Sequence, residues 1–488
     1  MDTDGSERLA GERTKVVATV GPASGNPVVL GAMLDAGVDV VRLNFSHGER
    51  ADHLARLELV RRLAAERGRN VGVLADLQGP KIRVGVVGAG GVALPSGDDC
   101  ELLAGAERAP AGVVPVVYER LAADVGPGDR ILLDDGAIEL RVRSVQGERV
   151  RCQVRCGGVV HSGKGVNLPG VRVSAPSLTA KDHADLIAAV GGGVDYVALS
   201  FVRRAADVLE AKQAIAALGG DVPVVAKLER PEAVEQLQEI LAVTDAVMVA
   251  RGDLGVELAA EQVPPLQKEI IAHANAVGVP VITATQMLES MVASARPTRA
   301  EASDVANAIF DGTDAVMLSA ESAIGAHPVE AVATMCRIAA AAEASPHLNH
   351  PPPPTGGLLD VAATVCKAAV QVAADLHARA IVAFTESGAT ARFVSRFRPR
   401  ARIVGLTPYE PVRRRMALYW GVEVPATVAP ASDLLAMVAQ ADQRLCADGM
   451  AAPGDVVVLV AGTPGWRGAT NRLIVHRVGE EADIQRPA

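Results

Sequence analysis

Eight short runs of valine, alanine and leucine recur along this chain with helical stretches between them. They are VVATV before Gly21, VDVVRLNF ending at Phe45, VGVLADL ending at Leu77 and VDYVALSF ending at Phe201. VPVVAKLE ending at Glu229, DAVMVA before Arg251, VPVITATQ ending at Gln286 and DAVMLSA ending at Ala320 complete the set. Strands buried on both faces read as unbroken apolar runs, and eight of them separated by helices are what a closed parallel (β/α)8 TIM barrel requires. An open doubly wound sheet is the competing arrangement. The polar residues favour the barrel: Asn44 and Ser46, Asp76, Lys227 and Glu229, Arg251 and Asp253, Thr285, Ser319 and Glu321 all stand at C-terminal strand ends. One polar strand end is only a strand reaching solvent. Many together describe the rim on which barrel enzymes build their sites.

A chain of 488 residues is too long for one hydrophobic core. The strand–helix rhythm breaks from Lys81 to about Pro176 into alternating segments such as RVRSVQ and VRCQVRC, punctuated by PSGDD, VGPGDR and DDG. Alternation with turn residues predicts a small β-barrel lid domain, residues 81–176, inserted into a barrel made of 14–80 and 177–348. A polar tail, 1–13, precedes it. Four prolines in NHPPPPTGG mark a linker at 349–357. Beyond it ARAIVAF, ARIVGLT, VEVPATV, DVVVLVAG and RLIVHRV alternate with helices, which predicts an open α/β C-terminal domain over 358–488.

The apolar content of 49% with only 2% aromatics fits aliphatic α/β packing. A net charge of −9 argues against general affinity for nucleic acid or an anionic membrane, so an anionic ligand must meet a local positive site. The six cysteines are scattered and read as reduced thiols rather than a zinc site. A polar N-terminus and the lack of a bilayer-length apolar run make cytoplasmic the expected location.

The strongest local signal is VVAKLERPEA, where Lys227 ends an apolar strand and Glu229, two residues on, shares its face. A lysine there is costly unless it faces a wet cleft or a partner. The next strand ends in MVARGDLGVE, which puts Asp253 nearby in a backbone opened by Gly252 and Gly255. Two carboxylates on adjacent strand ends suit Mg²⁺, which takes one or two carboxylates and fills its shell with water and substrate oxygens. RLNFSHG (42–48) adds the Arg42 guanidinium, with Asn44, Ser46 and His47 as neutral partners, and GPKIR (79–83) adds Lys81 and Arg83 at the hinge into the insert. Two glycine-rich spacings carry less. GVVHSGK (158–164) is followed by Gly165, which has no hydroxyl for a metal, and GAGGVA (88–93) opens no helix.

Together these motifs resemble the pyruvate kinase family. The similarity runs from Thr14 onward through RLNFSHG, DLQGPKIR, KGVNLPG, KLERPEA, VARGDLGVE, ITATQML, RPTRAEASDVANAIFDGTDAVMLS and TESGAT. It implies an enzyme that moves the phosphoryl group of phosphoenolpyruvate onto ADP, with a mobile lid, an effector-binding C-terminal domain and a homotetramer. It implies Lys227 as the transition-state lysine, with Arg42 and Thr285 beside it, and Glu229 and Asp253 as ligands of Mg²⁺, for which Mn²⁺ can substitute. Arg42, Gly252, Asp253 and Thr285 match substrate-binding positions, while Asn44, Phe45, Ser46, His47, Arg83 and Lys164 match nucleotide-binding ones. Thr385, Ser387 and Thr390, in a strand-to-helix turn, match a site for a phosphorylated effector, with the Trp466–Arg467 loop as a wall.

There are departures from the family pattern. The usual KIEN is Lys227-Leu-Glu-Arg230, and the usual LSGE is Leu318-Ser-Ala-Glu321. In potassium-dependent members a glutamate stands where this chain has Lys81, with threonine and lysine in place of Leu77 and Gln78. That set predicts that K⁺ is not required here, the Lys81 ammonium taking its place. Two rival functions remain at this level. A metal-dependent lyase or aldolase acting on pyruvate would not need the lid or Arg83, and a catalytically dead metabolite sensor would show erosion at Lys227, Glu229 or Asp253.

Overall fold

The computed structural model describes residues 13–346, 348, 361–462 and 470–480. The expected linker at 349–357, the Trp466–Arg467 loop and all of the N-terminal tail except Arg13 lie outside them. The eight apolar runs become strands β1 (Lys15–Thr19), β2 (Val40–Asn44), β3 (Gly72–Asp76), β4 (Tyr196–Leu199), β5 (Val224–Leu228), β6 (Ala246–Ala250), β7 (Val281–Ala284) and β8 (Ala315–Leu318). They close into a parallel barrel in chain order, with β8 paired back onto β1. Both faces of each strand are covered, which is why the runs show no polar alternation until their ends.

Alternation along the strands sorts the interior from the helix-facing side. Val17, Val40, Leu74, Tyr196, Val225, Met248, Ile282 and Met317 fill the barrel core. Continuing two residues at a time toward the C-terminal mouth, the same stripes carry Thr19, Arg42, Asp76, Ala198 then Ser200, and Lys227 then Glu229. The opposite mouth is stopped by the C-terminal domain, whose Ala417 and Leu418 join the interior cluster. There the Tyr196 hydroxyl donates to the Arg415 carbonyl at 2.6 Å. Stability is thus placed at one end of the barrel and a polar cup at the other.

The insert after β3 forms a six-stranded sheet in the order Val166–Asn167, Arg130–Leu133, Ile138–Gln146, Arg149–Cys156, Asp99–Ala104, Val113–Val116. Its two edges are drawn together by the hinge segment, where Arg83 bridges to Gly165 and Val84 to Val116. That closure gives the small barrel shape, around a core of its own. The chain returns to the large barrel at Thr179, which caps the helix Ala180–Gly192 in a reciprocal pair with Asp182. The other Asp182 oxygen accepts the Gly79 N–H at 3.0 Å, tying the outgoing hinge to the returning one.

The C-terminal sheet runs Val422–Glu423, Arg402–Leu406, Ala380–Phe384, Val456–Gly462, Thr470–Arg477. The first four strands are parallel and the last is antiparallel. Regular strand–helix alternation to the end of the chain therefore fails at this last step. Only residues 463–469 separate the final two strands, and a parallel crossover needs a dozen or more.

Candidate active site

Lys227 is the centre of the polar cup. Its ammonium lies 2.7 Å from Glu229 Oε1 and 3.2 Å from Asp76 Oδ1, and donates to Ser200 Oγ at 2.8 Å. Only 9% of Lys227 is exposed, so three acceptors replace the water it lost. Burial works against the ammonium, but Asp76 and Glu229 hold its pKa above that of an ordinary lysine. Arg42 comes from the neighbouring stripe, bonding Asp76 Oδ2 through Nε at 2.7 Å and Thr19 Oγ1 at 3.0 Å. Burial would raise the Asp76 carboxyl, yet Lys227 and Arg42 keep it below the usual carboxylate range. Asp76 is therefore a fixed anion that aims two cations at the mouth.

Glu229 is held differently. Its second oxygen accepts the Phe201 N–H at 2.9 Å, and burial pushes its carboxyl up to about 7, the Lys227 charge opposing the shift and Asp253 adding to it. Asp253 follows β6 in the helix Arg251–Glu257. Counting Lys227 and Arg42 against Asp76, Glu229 and Asp253 leaves one carboxylate in excess, in a pocket where Glu229 already resists ionisation. A divalent cation between Glu229 and Asp253 would relieve that excess, and the donor set is the hard oxygen one that Mg²⁺ prefers. Among the described residues no three acidic, histidine or cysteine side chains gather into a metal cage. A cation held by two carboxylates alone would have coordination positions left for substrate and water.

Thr285 closes the far side of the cup. Its Oγ1 accepts the Gly252 N–H at 2.7 Å and donates to the Ala284 carbonyl at 2.6 Å. A Cβ at Gly252 would meet Thr285 only at ordinary van der Waals contact, 3.4 Å from that oxygen. Thr285 (φ 68°), Gln286 (φ 55°) and Phe201 (φ 55°) all hold left-handed backbone at this rim, which non-glycine residues adopt only where their surroundings impose it. Arg251 supplies much of that constraint: it donates to the carbonyls of Thr285 at 2.8 Å and Gln286 at 3.1 Å, with Asp304 2.8 Å from its other end.

The remaining rim residues gather at the lid hinge. Asn44 Oδ1 accepts the Ser46 N–H at 3.1 Å, and His47 is exposed beyond it. Burial of its ring edge, then the charges of Arg83, Lys81, Arg42 and Lys181, hold the His47 imidazole below its usual pKa, so it is neutral in a positive field. That field suits a polyphosphate. Arg83 bonds the Gly163 carbonyl at 3.0 Å, and Lys164 pairs with Asp134 at 2.9 Å on the lid side. Lys81 lines the groove between lid and barrel together with Phe201 and Asp253. Phe45 differs from its neighbours: its ring is core, stacked on His53 at 4.3 Å, and only its backbone reaches the rim, where the carbonyl accepts Lys181 Nζ at 2.6 Å.

Distant from this site, the turn expected to cradle an effector is partly self-satisfied. Thr385 Oγ1 accepts the Gly388 N–H at 2.8 Å, and Thr390 is buried with its hydroxyl 2.8 Å from that of Thr470. Ser387 is exposed on the same turn. Three side chains that build the active site had no role assigned from sequence: Asp76, Arg251 and Ser200. Inward alternation from Tyr196 through Ala198 is the signal that points to Ser200.

A barrel whose mouth sets buried cations beside metal-suited carboxylates, under a hinged lid lined with positive charge, is an enzyme for small anionic substrates. Residues 11–332 match the family model for the pyruvate kinase barrel domain, and residues 363–476 match that for the pyruvate kinase alpha/beta domain. Pyruvate kinase from Mycobacterium intracellulare is 46% identical, covering 96% of this chain and 99% of its own length. Pyruvate kinase 2 from Synechocystis is 48% identical over 96% of this chain and 79% of its own. The crystal structure of a pyruvate kinase from Cryptosporidium parvum superposes with a TM-score of 0.90 at 32% identity, covering 96% of this chain and 97% of that one. The chain belongs to the pyruvate kinase family.

Proposed function

We propose that this chain transfers the phosphoryl group of phosphoenolpyruvate to ADP, giving pyruvate and ATP. The observation that carries the reading is the intact Lys227–Glu229–Asp76–Arg42 network at the barrel mouth, in a chain of this family. Family members need a divalent metal, and Mg²⁺ on Glu229 and Asp253, with Mn²⁺ as a substitute, would supply Lewis-acid charge beside the transferring group. Lys227 and Arg42 neutralise the phosphoryl and enolate oxygens as charge builds on them, a matter of positioning and electrostatics. Gly252 and Thr285 shape the substrate's far wall, and Thr285 orients the water that protonates the enolate carbon. Asn44, Ser46, His47, Arg83 and Lys164, with the Phe45 backbone, hold the nucleotide where the lid hinges.

Finer points of the same reading concern ions and regulation. Lys81 in the lid groove replaces a monovalent cation, because a unit charge ~4 Å from a phosphoryl oxygen is worth ~4 kcal/mol at an effective dielectric near 20. A phosphorylated effector binds the turn of Thr385, Ser387 and Thr390 through its exposed Ser387, with buried Thr390 holding the turn in place, and the enzyme works as a cytoplasmic homotetramer. Among the described residues, no helix is long and apolar enough to cross a membrane. The test of the central reading is to incubate the protein with phosphoenolpyruvate, ADP and Mg²⁺ and quantify both products. Pyruvate and ATP should appear in equal amounts, and only with ADP present. Phosphoenolpyruvate consumed at the same rate without ADP would contradict transfer to the nucleotide.

A further inference from the structure

The lid contains a pair of cysteines that the proposed chemistry does not use. Strands Asp99–Ala104 and Arg149–Cys156 run antiparallel, and Cys100 stands directly opposite Cys152. Val154 N–H donates to Asp98 O and Ala104 N–H to Glu148 O, each at 2.9 Å, marking two hydrogen-bonded positions of this ladder. Bonded and non-bonded positions alternate along an antiparallel pair, so the Cys100–Cys152 position is a bonded one, with Cα atoms about 5.5 Å apart. Disulfides join Cα atoms about 4.4–6.8 Å apart, most often near the middle of that range. Opposed residues also leave the sheet on the same face, but at a bonded position their Cβ atoms lie about 5.5 Å apart, so a bridge, which needs about 3.5–4.5 Å, draws the two strands together and is strained and readily reduced. Here that face is the lid core, in which Cys152 is fully buried while Cys100 packs at its edge, partly buried.

The Cys152 thiol opposite Cys100, ahead of burial, holds the Cys100 pKa below its ordinary value, and the same pairing, then burial, pushes that of Cys152 up; the Cys152 sulfur itself donates to the Val150 carbonyl at 3.9 Å. The pair is therefore asymmetric. Cys100 is the more reachable sulfur, and Cys152 is a neighbour shielded from solvent. We propose that Cys100 and Cys152 form a modification site, at which hydrogen peroxide converts the thiol pair into a reversible cross-strand disulfide inside the lid.

The chemistry balances in two steps. Cys100 sulfur attacks one peroxide oxygen; the S–O bond forms, the O–O bond breaks, and hydroxide leaves and is protonated to water. Cys152 sulfur then attacks the sulfenic sulfur; the S–S bond forms, the S–O bond breaks, and the departing oxygen leaves as water with the Cys152 proton. In sum, two thiols and one peroxide give one disulfide and two waters, the peroxide accepting both electrons. A dithiol reductant reverses the result. The obvious competitor is exposed Cys156, whose sulfur lies 3.6 Å from the Ala137 carbonyl on the same strand as Cys152.

The experiment treats the full chain with hydrogen peroxide, unfolds it, and blocks every free thiol with iodoacetamide. Reduction with dithiothreitol then exposes only the thiols that were bridged, and N-ethylmaleimide marks them for peptide mapping. The expected result is maleimide on Cys100 and Cys152 together, with the other four of the six cysteines carrying the first label. Cys100→Ser should leave Cys152 with the first label, and Cys156→Ser should leave the wild-type pattern unchanged. The proposal is overturned if Cys100 is found as sulfinic acid with Cys152 still a free thiol, if the bridge joins Cys156, or if no cysteine takes the second label.

Discussion

Replacing Lys227 with methionine removes a charge while keeping a side chain of similar length and an apolar stem. The ammonium lies within 3.2 Å of Asp76, Glu229 and Ser200 in the native cup. In the reaction its role is to meet negative charge that grows on the phosphoryl and enolate oxygens. A unit charge at ~4 Å and an effective dielectric near 20 gives ~4 kcal/mol, and at ~1.4 kcal/mol per decade that is a loss of ~10³-fold in kcat. Removing one preorganised donor from other active sites costs about 10²- to 10³-fold, the same order. The substitution also leaves Glu229 without its ion-pair partner, and breaking a buried pair can destabilise by about 3–5 kcal/mol. Loss of fold must therefore be separated from loss of chemistry. Initial rates of pyruvate formation at saturating phosphoenolpyruvate, ADP and Mg²⁺ should be read beside circular dichroism and thermal unfolding. The expected variant is folded at the assay temperature, melts lower than wild type, and turns over ~10³-fold more slowly. A folded variant with kcat within a few fold of wild type refutes the role given to this lysine.

Three other perturbations reach different parts of the account. In a tetramethylammonium buffer with Mg²⁺, wild type should turn over without K⁺, whereas Lys81→Glu should be impaired and regain rate as K⁺ is titrated; a wild type inactive until K⁺ is added contradicts the role of Lys81. Gly252→Ala meets Thr285 at ordinary contact, 3.4 Å from Oγ1, so thermal stability should stay near wild type while the added methyl narrows the proposed substrate wall and lowers kcat/KM for phosphoenolpyruvate ~10-fold; unchanged kinetics would show that the substrate does not lie against Gly252. Ser387→Ala should remove activation by sugar phosphates or AMP, whichever the wild type answers to, without changing basal turnover. Thr390→Val should instead lower thermal stability by ~1 kcal/mol through the lost Thr470 bond, and equal effects of the two substitutions on activation would contradict that division.

The barrel was legible because each strand is covered on both faces, so that VPVVAKLE and DAVMVA carry no competing polar signal before their ends. Lys227 and Glu229 were legible for a related reason: a period of two puts them on one stripe, and a charge pair at the end of an apolar run demands an explanation. Asp76 stood at a strand end but shares that property with any strand reaching solvent. What makes it central is its contact with Arg42 and Lys227, side chains 34 residues away and on a strand from the far side of the insert. Long-range pairing hid other features in the same way. Nothing in TESGAT discloses that Thr390 is bound to Thr470, or that the last strand folds back antiparallel. Nor does RLNFSHG show that the Phe45 ring turns inward onto His53 while its backbone stays on the rim.

The central claim is that the cup of Lys227, Arg42, Glu229 and Asp253 passes a phosphoryl group directly from phosphoenolpyruvate to ADP. Phosphorus NMR of the complete reaction, followed in time, tests it most directly, because donor, acceptor and free phosphate have separate resonances. The account predicts that loss of the phosphoenolpyruvate signal is matched by growth of the ATP γ-phosphate signal, with no inorganic phosphate formed, and that both changes stop when the divalent metal is chelated. Phosphoenolpyruvate consumed with release of inorganic phosphate, or transfer that continues at full rate in excess chelator, would contradict it.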